Sequence, residues 1–175
     1  MIPYTARTTL LSGIPGTFSH EGPKRALSAR IDGTATEANC RFGHAFTFVD
    51  ADSDAVVPGG EGVFAGIMVH PHAYAIDRDI AMPGSISEFA QMGYVNVAIA
   101  DDAVIRGARV GYLPTTGALV IMGSTGADDA IEIIGATVSR HPASPEKDAE
   151  NRVLAVITLN GEQPIPAPAD PGTGG

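Results

Sequence analysis

Short apolar segments recur through the middle of this chain, with glycine and proline residues between them. The segment Phe42–Phe48 alternates large apolar residues with smaller or polar ones, and this spacing of two is typical of a half-buried strand. A continuous apolar run follows at residues 62–69, between Gly60 and Pro71. Segments of similar length and character lie at Tyr94–Ile99, Arg109–Leu113, Ala118–Met122, Ile131–Ile134 and Val153–Leu159.

The turns and the composition agree with a chain built from strands. Thr115–Gly117 separates two of the apolar segments and predicts a hairpin turn, in which Gly117 adopts a positive φ. Only Ser85–Met92 suits a short helix, which Gly93 would end. With 21 Gly, 13 Pro and no Trp, the chain favours short strands and tight turns over a helical bundle. We therefore predict an all-β fold, a single β-sandwich or a small, jelly-roll-like β-barrel.

The two ends of the chain differ from the middle. Residues 1–35 contain the coil-forming sequences Gly13-Ile-Pro-Gly16 and Gly22-Pro23 and no helical periodicity, which predicts an extended N-terminal arm. Residues 161–175 contain four prolines and end in Gly-Thr-Gly-Gly, which predicts an extended or disordered tail. The β-rich domain is accordingly expected to span residues 36–160.

The net charge of −9 is unevenly distributed along the chain. Residues 1–30 carry a net charge of +3, so the remainder carries −12. An acidic body argues against a nucleic-acid partner, because such proteins neutralise phosphates with Lys and Arg. A basic arm suits contact with an acidic protein surface; the alternative is that its cations only solvate a flexible terminus. The candidate binding residues are Arg7, Lys24, Arg25 and Arg30.

Cysteine content and hydropathy set the expected cellular setting. Cys40 is the one cysteine, so an intramolecular disulfide is excluded and an oxidising compartment is not implied. The N-terminus lacks the basic start and apolar run of a secretory signal. No window approaches the roughly 18 apolar residues that predict a membrane span. We expect synthesis in a cytosol-like compartment and no membrane partner.

Two groups of residues suggest metal binding. His70 and His72, separated by one residue, are candidate zinc ligands together with His44 and Cys40, but no paired-Cys or His-Glu-x-x-His spacing supports them. Ordinary histidines are the favoured interpretation, and no cofactor is predicted.

A second group copies the ligand spacing of a calcium loop. Asp50, Asp52 and Asp54 alternate, and Glu61 follows Asp50 by eleven residues. Ala55 stands where such a loop needs glycine, and the flanking segments are predicted strands. An acidic surface turn is therefore favoured, with calcium binding left open.

Residues for nucleophilic or phosphate chemistry are not arranged in a known pattern. Ser124 lies in Gly-Ser-Thr-Gly rather than in Gly-x-Ser-x-Gly, and His141 precedes a proline. No Gly-Lys-Ser/Thr sequence accompanies the glycines of the second half, which are expected in turns and bulges. These glycines are Gly107, Gly111, Gly117, Gly123 and Gly126. The sequence gives no reason to predict an enzyme.

The order of several short motifs resembles a known protein family. Gly13-Ile-Pro-Gly16 leads to Arg41-Phe-Gly43, then to an acidic turn, and then to Val63-Phe-Ala-Gly-Ile67. Met82-Pro-Gly-Ser-Ile-Ser-Glu-Phe89, Met92-Gly-Tyr-Val95 and the stretch 107–117 complete the series. Over roughly residues 10–160, this progression resembles the structural cement, or decoration, proteins of tailed-phage heads.

The resemblance implies a specific structural role. Members of that family are β-sandwich or β-barrel domains on the outside of the mature capsid, assembled as dimers or trimers, with no catalytic residues. We therefore expect a non-enzymatic protein that binds the major capsid protein and itself, as a homotrimer or homodimer, on the outer surface of the virion after synthesis in the host cytoplasm. The alternatives are a metal-dependent β-barrel enzyme and a head-surface protein that binds glycans or the host.

Overall fold

The chain forms a β-structure with almost no helix. The computed structural model describes residues 13–19, 22–50, 53–71, 79–100, 104–140, 147 and 151–161. Apart from a single 3-10 turn at Glu37–Asn39, the regular elements of these residues are β-strands. The strands are β1 (Arg25–Ile31), β2 (Ala45–Phe48), β3 (Ala55–Pro58), β4 (Phe64–Met68), β5 (Ile86–Ile99), β6 (Arg109–Tyr112), β7 (Leu119–Ile121), β8 (Ile131–Arg140) and β9 (Val153–Asn160). The predicted all-β class is confirmed.

Strand pairing closes two rings that share the long strand β5. In the first ring, the pairs are β1–β3, β3–β2, β2–β4, β4–β5 and β5–β1. In the second ring, the pairs are β5–β7, β7–β6, β6–β8, β8–β9 and β9–β5. Each ring is a small barrel, so the structure contains two fused rings where the sequence analysis expected a single sandwich or barrel. Ring closure matters because an open sheet edge is a template for unwanted strand pairing.

Each ring has its own hydrophobic core. The core of the first ring includes Phe46 and Phe89, both fully buried, with their ring centroids 5.0 Å apart. The second core is larger and gathers apolar residues from β5 to β9, together with Ala45 of β2 and with Phe64 and Ile67 of β4. Its largest fully buried members include Tyr112, Ile99, Leu119, Ile133 and Ile157.

Strand β4 separates the two cores. All five of its residues are buried. Met68 packs in the first core and Ile67 packs in the second, because successive side chains of a strand point to opposite faces. This two-sided burial explains why the sequence shows a continuous apolar run here rather than an alternating one.

The turn between β6 and β7 joins the second ring to the first. Its four successive carbonyls, at residues 114–117, all accept hydrogen bonds from groups of residues 39–60. The donors are Gly60 N to Pro114 O (2.7 Å), Asn39 Nδ2 to Thr115 O (3.3 Å), His44 Nδ1 to Thr116 O (3.1 Å) and Ala45 N to Gly117 O (2.9 Å). Gly117 has φ of 74°, as predicted for this turn. We call residues 114–117 the bridging turn.

The strands that were predicted from the sequence are present, but two more exist. Neither β1 nor β3 was predicted, and the sheet begins at Arg25, inside the segment expected to be an arm. The helix suggested at Ser85–Met92 is wrong, because Ile86–Met92 forms the first half of β5 and pairs with β1. Most of the expected tail, residues 162–175, lies outside the described residues. Within the described ranges there is no helix long and apolar enough to cross a membrane.

Candidate functional site

Residues 13–19 are attached to the middle of β5. Gly16 N donates to Asn96 O (2.7 Å), Asn96 N donates to Thr17 O (2.8 Å), and Ser19 N donates to Tyr94 O (2.8 Å). Phe18 forms an isolated antiparallel bridge with Val95. The segment thus extends the sheet by a short stretch of strand-like pairing, and we call residues 13–19 the anchor segment.

Side chains lock the anchor segment in place. Asn96 is 3% exposed, and its Nδ2 donates to Thr17 Oγ1 (2.9 Å) and to Thr17 O (3.3 Å). The Thr17 hydroxyl, also buried, donates in turn to Ile14 O (2.8 Å). Buried polar groups are costly unless they are hydrogen-bonded, so this small network both satisfies and positions the segment. Neither Asn96 nor Thr17 was predicted from the sequence, although an asparagine within the apolar segment Tyr94–Ile99 is a departure from its pattern that the sequence shows.

The glycines of the anchor segment are required by its geometry. Thr17 N donates to Ile14 O (3.1 Å), and Gly16 has φ of 87°, so residues 14–17 form a type II turn with Pro15 and Gly16 at its centre. A Cβ atom on Gly16 would lie 2.7 Å from Met68 O, and one on Gly13 would lie 2.6 Å from the side chain of Asn96. The Gly-Ile-Pro-Gly motif therefore has a definite structural purpose, which is to dock the chain closely on β5.

The basic residues predicted to bind a partner are separated in the structure. Arg7 lies outside the described residues. Lys24 and Arg25 are exposed just after the anchor segment, and Lys24 Nζ lies 5.3 Å from the centroid of the Phe18 ring. Arg30 is exposed at the other end of β1, five residues and roughly 16 Å along the strand from Arg25. Lys24 and Arg25 are thus adjacent to one another, whereas Arg30 belongs to a different part of the surface.

The three candidate zinc ligands that the structure describes, His44, His70 and Cys40, are buried or packed against other residues. His44 is buried and bonded to the bridging turn, and this burial lowers the pKa of its imidazole to about 4. His70 packs against Phe42, with 4.8 Å between ring centroids. Cys40 is fully buried, and burial raises its thiol pKa to about 11. His72 lies outside the described residues, within which no three His, Cys, Asp or Glu side chains are grouped closely enough to hold a metal ion.

The remaining candidates lie in turns between strands. Asp50 and Asp54 flank the β2–β3 connection, Glu61 follows β3, and Asp52 is not among the described residues. The Ser124 hydroxyl donates to Ile121 O (2.8 Å), and His141 is not described. Four of the five glycines singled out from the sequence have positive φ values of 74–90°, which confirms the prediction of turns. They are Gly107, Gly117, Gly123 and Gly126.

The family of this protein follows from its sequence as a whole. A family model described as "Structural cement protein (E217 gp24/Pam3 gp6)" matches residues 2–160. The chain belongs to this family of phage cement proteins. The family resemblance predicted from the order of motifs is thereby confirmed, and the chain is a capsid-stabilising component of a phage virion.

A solved structure supports the same fold. A chain from the capsid of Myoviridae phage XM1 superposes with a TM-score of 0.57 at 13% sequence identity, covering 90% of this chain and 98% of that one. At this identity the likeness concerns the fold, which the cement protein shares almost end to end. No curated protein sequence matches the chain significantly.

Proposed function

We propose that this cement protein binds the outer surface of a phage head, as a homo-oligomer, and stabilises the lattice of the major capsid protein without catalysing a reaction. The observation that carries the proposal is the match to the structural cement family over residues 2–160. The role requires neither a cofactor, nor nucleic acid, nor a membrane. Synthesis in the host cytoplasm and assembly onto the head complete the proposal.

The two-ring body suits a clamp that must resist deformation. Binding to an assembled lattice stabilises it by mass action, and a stiff bound body also resists relative movement of the subunits that it joins. Closed rings of hydrogen-bonded strands and two packed cores supply such stiffness, because close-packed interiors are poorly compressible. Since both rings are closed, attachment through strand addition to the body is disfavoured, and side-chain surfaces and the N-terminal region are the better candidates for contact.

We propose that the N-terminal region contributes to capsid binding. The anchor segment fixes the point at which residues 1–12 join the body, and Lys24 and Arg25 lie exposed beside it. Together with Lys24 and Arg25, Arg7 within residues 1–12 brings the number of cations proposed for this contact to three. Several weak contacts on one rigid body raise the overall affinity by roughly 10²–10⁴. Cations on this side also favour approach to an acidic surface.

Co-sedimentation with purified heads that lack the cement protein tests the proposal. A protein without residues 1–12 keeps the anchor segment and β1 and is expected to remain folded while occupying heads more weakly. A Lys24→Glu/Arg25→Glu variant is expected to bind more weakly still at low salt. Arg106→Glu, an exposed charge reversal beside β6, is the matched control and should bind like wild type.

The outcomes separate the parts of this proposal. If wild-type protein does not sediment with heads, the capsid-binding role itself is refuted. If wild type binds and all three variants bind equally well, the N-terminal region is not the contact. Bound heads should also withstand higher temperature than bare heads, and an unchanged melting temperature would contradict the stabilising role.

A further inference from the structure

Two exposed apolar residues lie four positions apart in the sequence, one in the turn that leads into β5 and one at the first position of that strand. Ile86 is 76% exposed and Met82 is 70% exposed, the highest values among the large hydrophobic residues that the structure describes. Apolar side chains that are exposed on an isolated protein often mark a surface that a partner covers. Their closeness in sequence and their unusual exposure mark this end of the first ring as a candidate interface.

The backbone around these residues is held firmly. Ser85 N donates to Met82 O (3.1 Å), and Gly84 has φ of 83°, so Met82–Ser85 is a type II turn like that of the anchor segment. Ile31 N donates to Ser85 O (2.9 Å), and Gly84 N donates to Ile31 O (3.0 Å). The turn is therefore fastened to β1, and docking of a partner on it loses little backbone entropy.

The same face presents one positive and one negative side chain. In the antiparallel β1–β5 pair, Arg30 lies opposite Ile86, and Ser28 lies opposite Glu88. Neither Arg30 nor Glu88 has a side-chain hydrogen bond or ion pair with any described residue. The charge of Arg30 is a minor cause of the lowered pKa of Asp32, after the hydrogen bonds from Thr34. Both charges are thus available to a partner. Ser28, on the same face, has a small side chain and therefore does not obstruct the approach of a partner to them.

A cleft opens beside Ile86. It has a volume of about 270 Å³ and is lined by Val69, Pro71 and Ile86 and by the polar residues Ser28, Ser87 and Glu88. The face therefore holds a projecting apolar side chain next to a partly apolar recess, and a positive group next to a negative one. We call Ser28, Arg30, Ile86 and Glu88 the β1–β5 face.

We propose that the β1–β5 face binds the same face of a second copy of this chain, around a two-fold axis. A two-fold interface uses one patch twice, so the patch must be complementary to itself. The β1–β5 face meets this requirement in two ways. Arg30 of each copy faces Glu88 of the other, and Ile86 of each copy enters the recess of the other. A surface evolved for an acidic partner would instead carry one sign of charge, as Lys24 and Arg25 do.

This inference deepens the self-association that is part of the proposed function. It assigns the surface, the symmetry and the residues of that association, and it does not depend on how the capsid is bound.

Charge reversal provides a test that depends on the symmetry. In Arg30→Glu, both contacts of a two-fold dimer become Glu against Glu, and in Glu88→Arg both become Arg against Arg. Each variant alone is expected to dimerise at least about tenfold more weakly than wild type, as judged by sedimentation velocity over a range of concentrations. In an equimolar mixture of the two variants, every contact again joins Arg to Glu. The mixture is therefore expected to recover dimers, which are heterodimers by mass spectrometry.

A hydrophobic pair of variants provides the control. Ile86→Lys is expected to weaken dimerisation, whereas Ile105→Lys, at a residue 63% exposed and next to the second ring, should leave it unchanged. Circular dichroism confirms that each variant is folded before its association is measured.

The results distinguish this inference from the broader proposal. A wild-type protein that stays monomeric at high concentration refutes self-association itself. A wild-type oligomer that is indifferent to Arg30→Glu, Glu88→Arg and Ile86→Lys refutes this surface alone. Variants that weaken association but do not recover on mixing overturn the two-fold geometry.

Discussion

Replacing His44 with asparagine should remove a specific part of the pH dependence of stability. His44 is buried next to the bridging turn, and its Nδ1 donates to Thr116 O at 3.1 Å. Burial disfavours the imidazolium and lowers the pKa from 6.5 to about 4; the carbonyl of Thr116 and Asp79 act in the opposite direction, while Arg41 and Arg152 add to the lowering. The neutral ring is thus the form that the folded protein holds.

The sign and size of the effect follow from proton linkage. Above pH 6.5, His44 is neutral in both folded and unfolded chains, and its environment contributes its full stabilisation. As the pH falls from 6.5 to about 4, the unfolded chain takes up a proton that the folded chain does not, so stability is lost. At about 1.4 kcal/mol per pKa unit, the loss between pH 7 and pH 4.5 is about 2.5 kcal/mol.

Urea unfolding at pH 7 and at pH 4.5 measures this loss. Asn places an amide donor near the position of Nδ1 and does not titrate, so His44→Asn keeps a donor for Thr116 O. The variant is expected to be less stable at pH 7 but to lose about 2.5 kcal/mol less than wild type on acidification. Other titrating groups affect both proteins equally, so the difference isolates His44. Equal losses in the two proteins would refute the reasoning.

Three further outcomes follow from burial and packing. Asn96→Ala leaves the Thr17 hydroxyl oxygen without its donor and should lower the free energy of unfolding by about 1–3 kcal/mol in urea titrations. Phe89→Ala should cost about 3–5 kcal/mol, because the side chain is fully buried against Phe46. The Cys40 thiol, with its pKa raised to about 11, should react with an aromatic disulfide reagent at pH 8 only when the protein unfolds. An unchanged midpoint for either variant, or rapid labelling of the native thiol, would contradict the corresponding structural reason.

The strands of the second ring were predicted well from the sequence because their apolar, β-branched side chains are a strong signal for buried strands. Val153–Leu159 and Tyr94–Ile99 are rich in β-branched residues, and β9 and β5 indeed pair along their length. β1 escaped detection because its inward side chains include the small Ala29 between Leu27 and Ile31. Alanine gives a weak hydrophobic signal, even though Ala29 is buried.

The first half of β5 was not predicted as a strand for a related reason. Ile86 is exposed and Phe89 is buried, so the apolar residues lack the alternation of a half-buried strand. The pairing of this segment with β1 is decided by long-range contacts that a local pattern does not contain.

The functional region was only partly predictable. Gly13–Gly16 was recognised as a turn-forming sequence, and the structure supplies its purpose in the docking on Asn96. The bridging turn was recognised as a hairpin, but its bonds to Asn39, His44 and Gly60 join residues more than fifty positions apart. Such distant pairs are set by topology, which the sequence of one chain does not display.

The shared strand β5 determines how this protein responds to mechanical load. The first half of its fourteen residues pairs with strands of the first ring and the second half with strands of the second ring, so tension applied to one barrel passes directly into the other along a single covalent backbone. β5 forms eight residue pairs with β9 and six with β1, and the hydrogen bonds of these pairings lie across the direction of the strand. Pulling along β5 therefore strains many hydrogen bonds at once in shear instead of opening them one after another. The two rings of this cement protein therefore resist separation along β5 more strongly than strands whose hydrogen bonds open one pair at a time.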